Sequence, residues 1–237
     1  MTKPFQFKLF QIQQDRCAMK IGTDGILLGA WTSIVHQPQS ILDIGAGTGI
    51  IALMLAQRSN ADTIEALEIN EEAHEQCVDN FENSDWADRL FCYHASLDEF
   101  VDEMDDKYDL IVSNPPFYTE IVSSGDENRD IARQNQSLPF SELLRGSAQL
   151  MSENGTFSTI IPYKEEQTFL EIAHKLNLFP KRITRVKGNP ESEVKRSLIE
   201  FQFGNISVIV SDLTIELERH KYTKEYIDLT KDFYLKM

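Results

Sequence analysis

The chain of 237 residues has only three cysteines, Cys17, Cys77 and Cys92, odd in number and widely spaced. That excludes a disulfide framework and a CxxC metal site, and it suits free thiols in a reducing compartment. With 8 prolines and 11 glycines it is neither collagenous nor of low complexity. No window approaches the roughly 18 apolar residues of a membrane span. The opening MTKPFQFKLFQIQQD also lacks the apolar core of a signal peptide, so a cytoplasmic protein without a membrane partner is expected. Basic residues are scarce: 23 Lys and Arg against 38 Asp and Glu leave a net charge of −15. Taken whole, that argues against a polyanionic partner, because phosphate contacts rely on Lys and Arg. The five histidines, at positions 36, 74, 94, 174 and 220, share no metal-like spacing, so no metal and no catalytic histidine are expected.

What is present is the composition of a folded domain, 41% hydrophobic and 26% charged, and the length is that of one large α/β unit. The charge is segregated. Residues 1–174 carry 11 Lys and Arg against 29 Asp and Glu, whereas residues 175–237 carry 12 against 9. Lys181, Arg182, Arg185, Lys187, Lys195 and Arg196 crowd into sixteen residues. They form either a solvated strand face or a patch that contacts phosphates.

Short apolar runs alternate with helical segments. Strands are expected at 40–45, 63–69, 90–94, 108–113 and 156–161, and helices at 50–58, 71–83, 97–103, 140–151 and 164–176. Repeated βα units imply a doubly wound, mostly parallel sheet with helices on both faces. Residues 183–186, 197–203 and 207–216 read as successive strands at short spacing, expected to be antiparallel, and 222–235 as a closing helix. Between Pro115 and Pro139 lies a long polar loop of the kind that serves as a lid. The organisation expected is a single domain: an extension at 1–38, a core at 39–204, and a terminal strand and helix at 205–237.

The first long strand ends in Asp43-Ile-Gly45-Ala-Gly47-Thr-Gly49 and a helix follows at once. Glycines there let the backbone turn sharply and let a ligand come close. The spacing is GxGxG, unlike the GxGxxG of dinucleotide sites, and Asp43 stands two residues before the first glycine. This points away from NAD and toward S-adenosylmethionine, which has no pyrophosphate and whose ammonium group an acid can meet. The next strand ends in Glu68, which can accept from both ribose hydroxyls.

The fourth strand ends in Ser113-Asn114-Pro115-Pro116-Phe117-Tyr118. Ligands of doubly wound sheets bind beyond the carboxyl ends of the strands, so this run faces the same crevice. Two prolines remove two N–H donors and leave carbonyls that only accept. The Asn114 carboxamide oxygen and the Pro115 carbonyl can both accept from an exocyclic amino group, turning its lone pair toward an electrophile without a strong base. Phe117 or Tyr118 can stack on a planar base.

Taken together, QDRCAMKIGTDGILLGAW, DIGAGTGIIALMLAQR, ALEIN and YDLIVSNPPFY resemble the class I S-adenosylmethionine-dependent methyltransferases. Within them the chain resembles the amino-group enzymes with a [DNS]PP[FYW] signature, and more narrowly the tRNA1(Val) adenine N6-methyltransferase family. The likeness is tight over residues 16–118 and continues in ARQNQSLPFSELL. It implies a Rossmann-like fold with a seven-stranded sheet and an antiparallel C-terminal strand. It also implies methyl transfer from S-adenosylmethionine to N6 of the adenine immediately 3′ of a tRNA anticodon. The alternative substrates are a protein glutamine amide or an amino group of an rRNA or DNA base.

For the site, the resemblance implies that Asp43, Gly45, Gly47, Gly49, Glu68, Ile69 and Asn114 hold the cofactor, with Lys20, Gly22, Thr23 and Asp24 closing over it. Thr23-Asp24 also reads as a capping pair before an apolar helix. Asn114, Pro115, Pro116 and Phe117 would hold the target adenine. After the third strand, either Ser96 or Asp98 would meet the cofactor's adenine. The RNA would be met by Phe117, Tyr118, Arg133, Lys181, Arg182, Arg185, Lys187, Lys195 and Arg196. Partners are then tRNA and no metal, with the protein a monomer or weak dimer.

Overall fold

A computed structural model describes residues 3–116 and 138–236. The lid expected after Pro116 lies almost wholly outside them, as do Phe117, Tyr118 and Arg133.

Twelve strands and seven helices are found among the described residues. A short hairpin, β1 (Phe5–Gln6) and β2 (Gln11–Ile12), precedes α1 (Thr23–Trp31). The alternating core follows as β3 (Ser40–Ile44), α2 (Ile50–Arg58), β4 (Thr63–Glu68), α3 (Glu71–Glu82), β5 (Leu90–His94), α4 (Leu97–Glu103) and β6 (Tyr108–Ser113). Beyond the undescribed stretch come α5 (Phe140–Leu150), β7 (Met151–Pro162), a 3-10 turn (Tyr163–Glu165) and α6 (Glu166–Lys175). The chain finishes with β8 (Leu178–Lys187), β9 (Val194–Phe203), β10 (Ile209–Thr214), the two-stranded β11 (Glu216–Glu218) and β12 (Lys221–Tyr222), and α7 (Lys224–Thr230).

Eight strands form one sheet in the order β10-β8-β9-β7-β6-β3-β4-β5. All are parallel except β9, which runs antiparallel to both β7 and β8. The sheet is thus one strand larger than the seven expected. The addition is β10, which lies parallel to β8 rather than antiparallel as its short spacing suggested. The connection from β9 passes over β8 before returning along it, so neighbours in sequence are not neighbours in the sheet.

Alternation along the strands feeds two cores. Ile41, Ile64, Leu110, Val112, Ile160 and Leu198 face α1, α2, α3 and α7, whereas Leu42, Ile44, Leu67, Ile111, Ile161 and Ile199 face α4, α5 and α6. Central strands buried on both faces read as continuous apolar runs for this reason. Several boundaries differ from the sequence reading: β8, expected at 183–186, spans Leu178–Lys187, β9 begins at Val194 rather than Ser197, and the strand expected at 207–216 is Ile209–Thr214 followed by the separate β11; two further differences have a local cause. Strand β7 begins at Met151, not Thr156, because Ser152–Gly155 bulge within the strand: the pairing jumps from Tyr108↔Met151 to Leu110↔Thr156. The closing helix is shorter than 222–235; Thr223 caps it by accepting from Tyr226 N at 3.2 Å, and Phe233 reaches the core from the turn beyond it.

The stretch before α1 is fastened to α3. Asn80 is the main tie: its Oδ1 accepts from Gln13 N at 2.8 Å, and its Nδ2 donates to Gln13 O and Thr48 O, both at 2.9 Å. Gln76 Oε1 accepts from Asp15 N and Arg16 N, and Arg16 pairs with Glu75 and Asp79. These buried amides occupy the same stripe of α3 as Ala73, Cys77 and Phe81.

Candidate active site

The carboxyl ends of β3, β4 and β6 open into a cleft of about 360 Å³. Among the residues that line it are Gly45, Gly47, Glu68, Ile69, Ser96, Asp98, Asn114, Pro115 and Pro116, with Cys17 and Met19 on one lip and Leu138 and Glu142 on another. The sequence motifs therefore converge.

The floor is the glycine turn. Gly45 has φ +74° and Gly47 φ +55°, and a Cβ on either would meet nothing within 4 Å, so both backbones border open space. Gly49 is different: its Cβ would stand 2.5 Å from Phe81 and 2.8 Å from Cys77. Its lack of a side chain answers to the packing of α2 on α3, and it is not among the residues lining the cleft.

Glu68 is tied to this floor. Its Oε2 accepts from Gly47 N at 2.8 Å and its Oε1 from Asn70 N at 2.9 Å. Each oxygen keeps lone-pair capacity for a ligand hydroxyl. Behind the turn Asp43 is fully buried; Oδ2 accepts from Ala52 N at 3.2 Å, and Oδ1 has no partner. Burial pushes its carboxyl up to about 7, with the Ala52 N–H opposing and the charge of Glu68 adding to the rise. Asn114 Oδ1 is also buried without a partner. A buried acceptor left unpaired costs roughly 1–3 kcal/mol; of these two, Asn114 lines the cleft and Asp43 lies behind it, outside the lining.

Other expected residues are engaged within the fold. Ser96 caps α4: its hydroxyl accepts from Glu99 N and donates to Glu99 Oε2 at 2.8 Å, completing a capping box. That hydroxyl is committed, whereas the exposed carboxylate of Asp98 lines the cleft with Arg145 3.7 Å away. The Thr23-Asp24 capping expectation is not met. Gly22 occupies the cap position without a side-chain bond, and Asp24 receives Arg196 Nε at 2.8 Å instead. Lys20, Gly22, Thr23 and Asp24 are not among the lining residues; the lip is built a few residues earlier, from Cys17, Ala18 and Met19. Burial, reinforced by Glu68, pushes the Cys17 thiol up to about 11 and keeps it neutral.

The cluster of cations divides by register. Ser113 on β6 is level with Thr159 on β7, Ile199 on β9 and Ile183 on β8. Arg185, Lys187, Lys195 and Arg196 thus lie at the cleft edge of the sheet, and Lys181 and Arg182 lie below it. Most are matched internally. Glu200, 2% exposed, holds Lys181 at 3.3 Å and Arg182 at 2.9 Å, and Arg182 also stacks over Trp31 at 3.7 Å. Glu166 takes Arg185 through both oxygens. The charge density read from the sequence as a phosphate patch is in good part the protein's own counterions.

The amides Gln76 and Asn80, which hold the lip, were not singled out from the sequence. Their signal is a pair of polar residues four apart on the buried stripe of a helix. Among the described residues no group of three or more His, Cys, Asp or Glu is gathered to hold a metal, and no helix is long and apolar enough to cross a membrane.

Comparison with known proteins agrees with this geometry. Residues 22–161 match the family model of the methyltransferase small domain. A protein of Christiangramia forsetii named tRNA1(Val) (adenine(37)-N6)-methyltransferase is 62% identical over 100% of this chain and 99% of its own length. One of the same name from Bacteroides fragilis strain YCH46 is 45% identical over 100% of both. Among solved structures, a predicted O-methyltransferase of Agrobacterium tumefaciens superposes with a TM-score of 0.70 at 18% identity, covering 89% of this chain and 96% of that one, which is a likeness of fold. With a glycine turn, the carboxylate of Glu68 and an Asn-Pro-Pro run sharing one cleft, and with relatives matched from end to end, the chain belongs to the tRNA1(Val) (adenine(37)-N6)-methyltransferase family.

Proposed function

We propose that this protein transfers the methyl group of S-adenosylmethionine to the N6 amino group of adenine 37, beside the anticodon of tRNA, as its relatives' name describes. The observation that carries the reading is Asn114 Oδ1, buried and unpartnered beside Pro115 and Pro116, in the cleft that also holds Gly45, Gly47 and Glu68.

The residues present fit the cofactor. Gly45 and Gly47 leave space above the turn that a Cβ would fill. Asp43 Oδ1 offers a free acceptor for an ammonium group, directly or through a water, and Glu68 accepts from the ribose hydroxyls. Asp98, with Ser96 engaged as a cap, presents its exposed carboxylate toward the adenine of the cofactor. When bound, S-adenosylmethionine supplies an electrophilic methyl group.

The protein's own part is positioning. Asn114 Oδ1 and the Pro115 carbonyl accept the two N–H bonds of the target amino group, which aims the nitrogen lone pair into the cleft. As the nitrogen gains positive charge those acceptors bind its hydrogens more strongly, so they favour the transition state over the ground state. No strong base is needed, because a methylated, cationic nitrogen is a strong acid and gives its proton to water. To reach the cleft the adenine must leave its stack, and a loop base costs little to splay out.

The test is incubation of purified protein with tritiated S-adenosylmethionine and tRNA from cells lacking the modification, followed by nucleoside analysis. Labelled N6-methyladenosine at position 37 is expected. Label that appears only in a protein amide, rRNA or DNA would overturn the substrate and leave the amino-group chemistry.

A further inference from the structure

Tyr163 belongs to neither hydrophobic core and lies at the cleft edge of the sheet. It opens the 3-10 turn between β7 and α6, directly after Pro162, and is 39% exposed. Asn114 follows Ser113, whose register partner on β7 is Thr159. Pro162 is therefore two residues, or about 7 Å, beyond the level of Asn114 on the adjoining strand.

The turn also adjoins the cleft wall on its other side. Leu138 and Glu142 line the cleft. Phe140, between them, meets Phe169 of α6 edge-on with ring centroids 4.9 Å apart, so the beginnings of α5 and α6 stand side by side.

The ring is braced from the protein side. Arg185 Cζ lies 5.4 Å from its centroid. That guanidinium cannot swing away, because Glu166 holds it at 2.7 and 3.3 Å, and Ser197 Oγ donates to the same carboxylate. Lys164, the next residue, is exposed. An exposed aromatic ring with one cation beside it and a second next in sequence is an arrangement with which proteins hold unstacked nucleotides.

We infer that Tyr163 is a stacking platform for the base adjoining the target adenine, a residue that touches RNA and takes no part in cofactor binding. This rests on the reading of the substrate as tRNA. Splaying one base out of a loop leaves its neighbour without a stacking partner, and the exposed ring supplies one. Lys164 then lies within reach of the phosphate that joins the two nucleotides.

The experiment compares Tyr163→Phe and Tyr163→Leu in steady-state methylation of full-length tRNA, with calorimetric S-adenosylmethionine binding and thermal melting on each. In Tyr163→Leu the KM for tRNA should rise about ten- to a hundredfold, with cofactor affinity and melting temperature unchanged; Tyr163→Phe, which keeps the ring, should stay near wild type. A 2-aminopurine placed beside the target adenine should be quenched on the wild-type protein and bright on Tyr163→Leu. A leucine variant with the wild-type KM, or one that loses cofactor affinity and RNA binding together, overturns the inference. Wild-type protein that leaves tRNA unmethylated overturns instead the reading on which it rests.

Discussion

At the end of β6 the carboxamide oxygen of Asn114 is buried with no partner, while two strands away the buried Glu200 holds two cations. The same contrast separates Asp43, with one orphaned oxygen, from Glu166, which is bonded to Arg185 and Ser197. At the carboxyl ends of β3 and β6 a buried polar oxygen is left unpaired, whereas the acids of β9 and α6 are matched within the fold. Lack of a partner is not by itself the mark of a site, since Gln57, Ser147, Thr156, Ser158 and Thr159 also carry buried unpaired atoms away from the cleft lining; it is the coincidence with the cleft that singles out Asn114.

The sharpest way to break this comparison is at Asn114. Asn114→Ala should lower the methylation rate by about a hundredfold or more while cofactor affinity changes far less, since only the amino-group acceptor is lost; single-turnover assays beside calorimetry read both. A rate near wild type would make the orphaned oxygen an accident of packing. The converse substitution is Glu200→Gln. It should destabilise the fold by about 2 kcal/mol, seen as a lower denaturation midpoint, and leave the turnover of the folded fraction intact.

Asp43 provides a test through pH. Its native carboxyl titrates near 7, above the ordinary value of 3.8. Between these values the native state holds more protons than the unfolded one, so this group's contribution to stability falls as pH rises from about 4 to 7 and is level above that. Asp43→Asn should therefore melt about 2–4 °C higher than the parent without cofactor at pH 8, show no gain at pH 4, and bind S-adenosylmethionine more weakly. A stabilisation equal at both pH values would remove the titration argument. The smallest effect concerns the cations. Neutralising Lys187 and Lys195 at the cleft edge should flatten the salt dependence of tRNA binding by about one logarithmic unit of slope for each lysine, whereas Lys181→Ala, beside Glu200, should leave the slope unchanged.

The legible parts of the molecule are local. The boundaries of α2, β5, α4 and β6 follow from runs of apolar residues closed by glycine, proline or a cap. The convergence of Gly45, Glu68 and Asn114 follows from the rule that parallel strands present their carboxyl ends together. What was hidden depends on tertiary partners. Nothing in the spacing of Arg196 reveals Asp24, 172 residues away. The parallel placement of β10 depends on a crossover that alternation does not encode. Ser96 lies between: Ser-x-x-Glu is a local cap signature, open to reading from the sequence, at a position where related folds place a cofactor-binding group. Gly49 looks like the third member of a ligand motif, and only the ring of Phe81 lying 2.5 Å from its would-be Cβ shows that it serves packing.

Asn80 has a consequence for how binding is shared out between folding and recognition. One carboxamide grips Gln13 in the lip and Thr48 in the floor, so these two pieces of the cleft move together. The rotational freedom of the stretch leading to Cys17 is surrendered when the chain folds, not when a ligand arrives. A small molecule entering the cleft meets a preorganised wall and loses little of its binding free energy to ordering it.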